Sequence, residues 1–425
     1  MSNNSWDIKR ALLALAALAA CMFIVAGCGG DDDESSTSTA DTTESVAEPT
    51  EDPDAASSDT VACDQELAPD SEFFDKEECE SQLAQRNIEP EGDPATPWLQ
   101  MIEPEMVDTS EYKKDGDKKF CFSNAANDNP WRNTGFTTMQ ATIASLGDGI
   151  EFESTDAEGS DEKQISDIEG LVNNGNCDIL IISPATTATL TPAVESACDS
   201  GIPVVVFDRG VNTDCPVTFV TPIGGYAFGA DGAEFIVNNL EEGDKVLMLR
   251  ILPGVDVLEN RYEGAMAIFS DAGIDVVGAE QTGGDPATTK EIVADYLERE
   301  GQIDGLWMDA GATAVAAIEA FEDAGAEYPV MNGEDQMDFL RKWDEEGLTA
   351  IAPVFSNFQW RTVILAADMI LKGEEVPKKW VLPQNPVTQD ALQGVLDQYS
   401  EMGQLFYATC GCDDLPGFPE DWPML

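Results

Sequence analysis

Nine arginines serve a chain of 425 residues, and three of them, Arg132, Arg209 and Arg261, lie just past short apolar runs that read as strand ends. Each keeps polar or aromatic company: Asn124, Asn129 and Trp131 before Arg132, Asp208 before Arg209, and Asn260 before Arg261. Two further strand ends are acidic, at Asp309 and at Gly333-Glu334-Asp335. Arginine forks and carboxylates form planar, paired hydrogen bonds that suit adjacent hydroxyls, and an aromatic face covers the apolar side of a sugar ring. Opposed Asp and Arg groups orient a neutral polyol without leaving a buried charge unpaired. Each position also has an ordinary explanation, since an Asp after a strand is often a helix N-cap and Asp208-Arg209 could be a local ion pair. Their joint occurrence at matching ends points to one site.

Composition closes off other chemistries. The sequence has no histidine, which removes Ser-His-Asp and Cys-His catalysis, imidazole metal sites and imidazole pH switching. It has no G-x-x-x-x-G-K-[ST] phosphate loop, which excludes nucleotide hydrolysis by that route. Lys and Arg total 22 against 82 acids, a formal charge of −60. Nucleic acid needs a basic surface, so it is not expected as a partner, and anionic lipid surfaces are disfavoured. The acids read as a solvated shell suited to high salt, where self-repulsion is screened. Neither metal nor cofactor is expected, and the chain does not read as an enzyme. The one enzymatic alternative is a secreted glycoside hydrolase with paired carboxylates such as Asp309 and Asp335. Neighbouring arginines are expected to hold those carboxylates low and so deny the site a proton donor.

The elements that must position these residues alternate. Strands are expected at Lys119–Ser123, Gly149–Ser154, Asp178–Ser183 and Pro203–Asp208, then at Lys245–Ile251, Ile274–Glu280, Asp304–Asp309 and Tyr328–Asn332. Helix-length stretches follow them, as in repeated βαβ units. The fold class is therefore α/β, with two doubly wound parallel sheets whose ligand side lies beyond the carboxyl ends of the strands.

The N-terminus reads as an address. Lys9 and Arg10 precede an apolar run, Ala11 to Val25, whose helix would span roughly 22 Å against a hydrocarbon core of about 30 Å. The run suits a signal peptide and ends in Val25-Ala26-Gly27-Cys28, which looks like a bacterial lipobox with Cys28 as the lipidated residue. Gly29 to Thr60 holds eleven acids and no Lys or Arg, the composition of a disordered tether. Beyond it, residues 63–117 form a Pro- and acid-rich arm with a helical candidate near Lys76 to Arg86. Eight cysteines remain: Cys63, Cys79, Cys121, Cys177, Cys198, Cys215, Cys410 and Cys412. An even number in an exported chain reads as disulfides. Cys198 ends a helix and Cys215 follows the next strand, which favours that pair. Cys63 and Cys79 could pair locally or staple the arm to Cys410 and Cys412.

Four blocks carry a family resemblance: Phe122-Ser-Asn with Asn129-Pro-Trp-Arg132; Ile182-Ser-Pro-Ala-Thr with Gly201-Ile-Pro-Val-Val-Val-Phe-Asp-Arg209; Leu252-Pro-Gly with Asn260-Arg-Tyr-Glu-Gly264; and Gly333-Glu-Asp335. In order and spacing, over roughly Lys118 to Leu382, the chain resembles the ribose/galactose-type substrate-binding proteins of sugar ABC transporters. The resemblance implies two Rossmann-like lobes joined by a three-crossover hinge and closing over one monosaccharide, with a permease as partner. The chain is expected to be a monomer that meets the membrane only through the lipid on Cys28. The resemblance carries ligand contacts onto Asn129, Trp131, Asp208, Arg209, Arg261 and Asp335. Trp131-Arg132 is more like the galactofuranose-binding relatives and adds Arg132. Departures stand at Asp309-Ala310, where an Asn is common, and at Phe355-Ser356, where the ribose type has Gln.

The implied domains are a signal peptide (1–27), a tether (28–62), an arm (63–117), lobe 1 (118–222 and 356–382) and lobe 2 (223–355 and 383–425, with a C-terminal extension). Crossings are expected near Val220–Gly224, Pro353–Asn357 and Leu382–Pro386. Two alternatives share these features: a receptor for a signalling furanosyl compound or a chemotaxis ligand, and the hydrolase above.

The acidic shell generates a salt prediction. Melting temperature should rise as dilute buffer is replaced by molar KCl, because screening relieves self-repulsion; equal stability in both would remove the high-salt reading.

Overall fold

The computed structural model describes residues 61–422; the signal sequence, Cys28 and the tether up to Thr60 lie outside the described residues. The chain opens with the arm, which carries helix α1 (Lys76–Gln85) and a two-residue strand β1 (Met106–Val107). Lobe 1 then alternates β2 (Lys118–Asn124), α2 (Pro130–Ser145), β3 (Ile150–Asp156), α3 (Asp161–Asn174), β4 (Ile179–Ser183), α4 (Thr187–Asp199), β5 (Val204–Phe207) and β6 (Thr218–Pro222). Lobe 2 repeats the plan with α5 (Gly225–Val237), β7 (Lys245–Arg250), α6 (Asp256–Asp271), β8 (Asp275–Gln281), α7 (Pro286–Glu300), β9 (Gly305–Met308), α8 (Ala314–Ala324), β10 (Val330–Asn332), α9 (Met337–Glu346) and β11 (Ala350–Ile351). The chain returns to lobe 1 as α10 (Gln359–Lys372), β12 (Val376–Pro377) and β13 (Lys379–Leu382), and crosses back to lobe 2 for α11 (Gln389–Gln398).

Both sheets are parallel throughout. Their orders among the described residues are β3-β2-β4-β5-β6-β13 and β8-β7-β9-β10-β11. The order reverses between β2 and β4 and again between β7 and β9, and a doubly wound sheet opens its ligand crevice at such switch points. Sequence explains which strands sit inside. Ile-Leu-Ile-Ile-Ser, Val-Val-Val-Phe and Gly-Leu-Trp-Met are buried at every position, as strands covered by helices on both faces must be. The edge strands β3 and β8 instead carry acids at exposed positions. Helix starts are fixed by side-chain caps: Asn129 accepts from Arg132 N at 3.0 Å, Ser160 from Lys163 N at 3.2 Å and Asp285 from Thr288 N at 2.7 Å. Register does the rest. The β2–β4 pairing sets Asn124 beside Ser183, so both side chains emerge together at the carboxyl edge.

Strand β6 (Thr218–Pro222) pairs with β5 on one side and β13 on the other, and α5 begins at Gly225, so the link from lobe 1 to lobe 2 follows Pro222. One expectation is corrected. The strand expected to end at Asp208 stops at Phe207, and Asp208 takes a left-handed φ of 70° that turns it off the sheet.

The arm grips both lobes. On lobe 2, Arg86 pairs with Asp231 at 2.8 Å and Glu234 at 3.2 Å, and Tyr226 N donates to Gln82 at 2.9 Å. On lobe 1, β1 pairs antiparallel with β12, Trp380 Nε1 donates to the Gln100 carbonyl at 2.9 Å, and Thr362 Oγ1 to that of Trp98 at 2.7 Å. The C-terminal extension adds Leu392, Met402, Phe406, Leu415 and Trp422 to the lobe 2 core around Phe339, Leu340 and Trp343.

Disulfides join Cys63 to Cys79, Cys121 to Cys177, Cys198 to Cys215 and Cys410 to Cys412, so the option of stapling the arm to Cys410 and Cys412 is not realised. The Cys121–Cys177 bond ties central strand β2 to the loop before β4 across a sequence separation of 56. A loop of that length implies that Cys121→Ala/Cys177→Ala loses about 4 kcal/mol in denaturant unfolding at 25 °C. A loss under about 1 kcal/mol would show that the bond does not restrict the unfolded chain.

Candidate functional site

A cavity of about 380 Å³ lies between the carboxyl ends of the two sheets. Its lobe 1 wall is organised by Arg132, which projects from the first turn of α2 and is 2% exposed. Nη1 donates to Asn124 Oδ1 at 2.9 Å and Ser183 Oγ at 3.2 Å, and Nη2 donates to Asp208 Oδ2 at 2.5 Å. Ser183 Oγ donates to the same Asp208 oxygen at 2.7 Å. One guanidinium therefore ties together the ends of β2, β4 and β5. The local Asp208–Arg209 ion pair is the weaker contact at 3.8 Å, and Arg209 instead donates to the carbonyl of Ala185 at 2.6 Å. An alanine at 208 would strip a buried cation of its partner, a change of about 3–5 kcal/mol, so truncation there tests folding as much as binding.

Trp131 and Phe355 face each other at 5.8 Å, and Trp131 Nε1 donates to the Phe355 carbonyl at 3.2 Å. Both line the cavity, as do Asn129, Arg132, Asp208, Arg209 and Arg261. On the lobe 2 wall, Arg261 lies between the rings of Phe228 at 3.9 Å and Phe355 at 4.7 Å. Its Nη1 donates to the Asp309 carbonyl at 2.5 Å, while its Nε has no hydrogen-bond partner among the described residues. The lobes also touch directly: Gly210 N donates to Asp256 Oδ2 at 2.9 Å, and Asp256 N to Thr187 Oγ1 at 3.3 Å.

Three expected contacts do not line the cavity, and each is engaged elsewhere. Asn124 orients Arg132. The Asp309 carboxylate accepts from Ile251 N at 2.9 Å and 3.1 Å. Asp335 accepts from Thr409 N at 2.7 Å, because the residue after Glu334 points back towards the C-terminal extension. Glu334 takes the cavity position, and Tyr407 stands beside it. Gly333-Glu334-Asp335 offered two acids of which one could face the cleft. Nothing local in the sequence marks Tyr407.

Electrostatics correct a further expectation. Burial, not arginine proximity, dominates the carboxylates of lobe 2: it lifts Asp309 to about 7, Glu334 to about 7 and Asp335 to about 6, with Arg261 opposing the first two. Burial and the nearby Arg132 charge bring Arg209 down to about 10. A proton donor is thus available at neutral pH, yet Asp309 and Asp335 are turned onto backbone amides and do not flank the cavity as paired glycosidase carboxylates would.

Residues 120–375 match the periplasmic binding protein domain. The ribose import binding protein of Bacillus subtilis is 29% identical over 256 residues, 58% of this chain and 83% of that protein. An ABC transporter solute-binding protein from Bacillus halodurans, solved with bound myo-inositol, superposes with a TM-score of 0.62 at 21% identity, over 67% of this chain and 99% of the other. A galactofuranose-binding protein gives 0.59 at 18% identity, over 68% and 100% of the two chains. At these identities the structural likenesses speak for the fold.

The lifted Asp309 carboxyl yields a pH prediction. Between its ordinary 3.8 and about 7 the folded chain holds a proton on Asp309 that the unfolded chain releases, so the contribution of this group to stability is fully present below pH 4 and is lost as pH rises through about 7. Asp309→Asn keeps an acceptor for Ile251 N and cannot titrate. Its melting temperature relative to the parent should therefore improve steadily from pH 4 to pH 8; a difference that stays flat would contradict the lifted carboxyl.

Proposed function

Since the chain belongs to the periplasmic binding protein domain family, we propose that it is an extracytoplasmic receptor that closes two lobes over one monosaccharide and delivers it to an ABC importer. The observation that carries this reading is the interlobe cavity of about 380 Å³, lined by Arg132, Arg209 and Arg261, by Asp208 and Glu334, and by Trp131 and Phe355. Guanidinium and carboxylate groups of both lobes present donors and acceptors to a hydroxylated ring, while Trp131 and Phe355 offer it an apolar wall. The likeness to a ribose import binding protein supports the same substrate class. Ligand bonded to both lobes favours the closed state by its differential affinity, and the closed surface is what a permease reads. The receptor acts without catalysis and as a monomer. Its proposed lipid attachment at Cys28 and the acidic tether, both outside the described residues, would keep it beside the permease.

A thermal-shift screen of monosaccharides against amino acids tests the reading. A sugar present at about 100 times its Kd should add roughly 2.7 kcal/mol of stability. Arg209→Ala, which leaves the Arg132–Asp208 pair intact, should weaken that sugar by roughly 10–100-fold, the worth of a hydrogen bond to a charged group. Amino acids shifting the melting point while sugars do not would overturn the substrate class.

A further inference from the structure

One cavity residue comes from outside the matched family domain, which ends at residue 375. Tyr407 belongs to the C-terminal extension, is fully buried and lines the cleft. Its hydroxyl donates to Glu334 Oε2 at 3.3 Å, and Gly311 N donates to the same oxygen at 3.0 Å. The other oxygen, Oε1, stands 3.9 Å from Arg261 Nη1 and accepts no hydrogen bond from the described residues. One face of the carboxylate is thus held by protein donors while its second oxygen remains for a ligand hydroxyl. We propose that Tyr407 is a ligand-positioning residue, orienting Glu334 as acceptor for one sugar hydroxyl, and that the Cys410–Cys412 loop clamps Tyr407 in place. This rests on the monosaccharide-receptor reading above.

The backbone around Tyr407 is held on both sides. Residues Gln336 and Tyr407 bridge antiparallel, Met337 N donates to the Phe406 carbonyl at 2.9 Å and Ala408 N to that of Asp335 at 2.9 Å. Asp335 serves here too, since its carboxylate accepts from Thr409 N at 2.7 Å. Just beyond, the chain grips the second crossover: Phe358 N donates to the Thr409 carbonyl at 2.8 Å and Asn357 N to Thr409 Oγ1 at 3.3 Å. Arg361 Nη1 donates to the Gly411 carbonyl at 2.5 Å. Gly411 has a φ of 62°, and a Cβ there would meet Phe358 and Trp98 at 2.8 Å, so the Cys-Gly-Cys loop fits only with glycine at its centre. The segment that brings Tyr407 to the ligand is therefore fastened to the hinge.

The test uses the exported chain with D-ribose, D-xylose, L-arabinose and D-galactose as probes, and the monodeoxy analogues of whichever sugar the parent binds. Tyr407→Phe keeps the ring and loses the donor. It should weaken that sugar about tenfold and shrink the discrimination against the one deoxy analogue that lacks the hydroxyl accepted by Glu334. Cys410→Ala/Cys412→Ala, with Tyr407 intact, should move affinity and discrimination in the same direction. Equal weakening of the sugar and all its analogues would indicate mere packing and overturn the positioning role, as would parental affinity in Tyr407→Phe. Absence of binding by the parent chain would sink the receptor reading itself, a separate outcome.

Discussion

Taking a guanidinium out of water is costly unless its charge and donors are met, and lobe 1 is built around meeting that demand for Arg132. The partners stand on three different strands: Asn124 at the end of β2, Ser183 at the end of β4, and Asp208 just past β5. Their convergence requires the parallel register that sets Asn124 beside Ser183, and the left-handed turn at Asp208 that swings its carboxylate inward. The cap by Asn129 fixes the first turn of α2 from which Arg132 extends. The wall of lobe 1 is thus preorganised before any ligand arrives.

Lobe 2 is held on different terms. Arg261 lies between Phe228 and Phe355, and its surroundings offer carboxyls that burial holds partly protonated near neutrality. Stacking against flat rings stabilises the cation, and the hydrogen bond from Nη1 to the Asp309 carbonyl fixes its plane. The open Oε1 of Glu334 is the group left to answer a ligand, while the Arg261 Nε is buried without a partner among the described residues.

Much of this was legible in the sequence, for a physical reason. Buried parallel strands must be apolar at every position, so Ile179–Ser183 and Val204–Phe207 announce themselves, and polar residues at their ends mark the crevice. The direction of each side chain was harder to read. Asn124, Asp309 and Asp335 sit at the right ends and face other partners, because one residue of phase decides between cavity and scaffold. Sign was harder still: the pull of arginine on Asp309 was visible in sequence, whereas its burial emerges only when both lobes are assembled. Tyr407 was out of reach entirely, since its place depends on a pairing with Gln336 across 70 residues of chain, in a segment with no strand-like alternation.

The arm has a mechanical consequence. Three crossovers side by side leave two bodies free to bend about a line, and also to twist or slide along it. The arm adds a fourth tie, anchored by Arg86 on one body and by Trp98 and Gln100 on the other. It runs next to the second and third crossovers, separated from them by a cavity of about 440 Å³ lined by Asn87 and Pro94 on one side and Val354 and Pro383 on the other. A tie close to a rotation axis scarcely changes length when the bodies bend, but it must stretch when they twist or slip. The arm therefore opposes twisting and slipping of one lobe against the other more than bending about the crossovers.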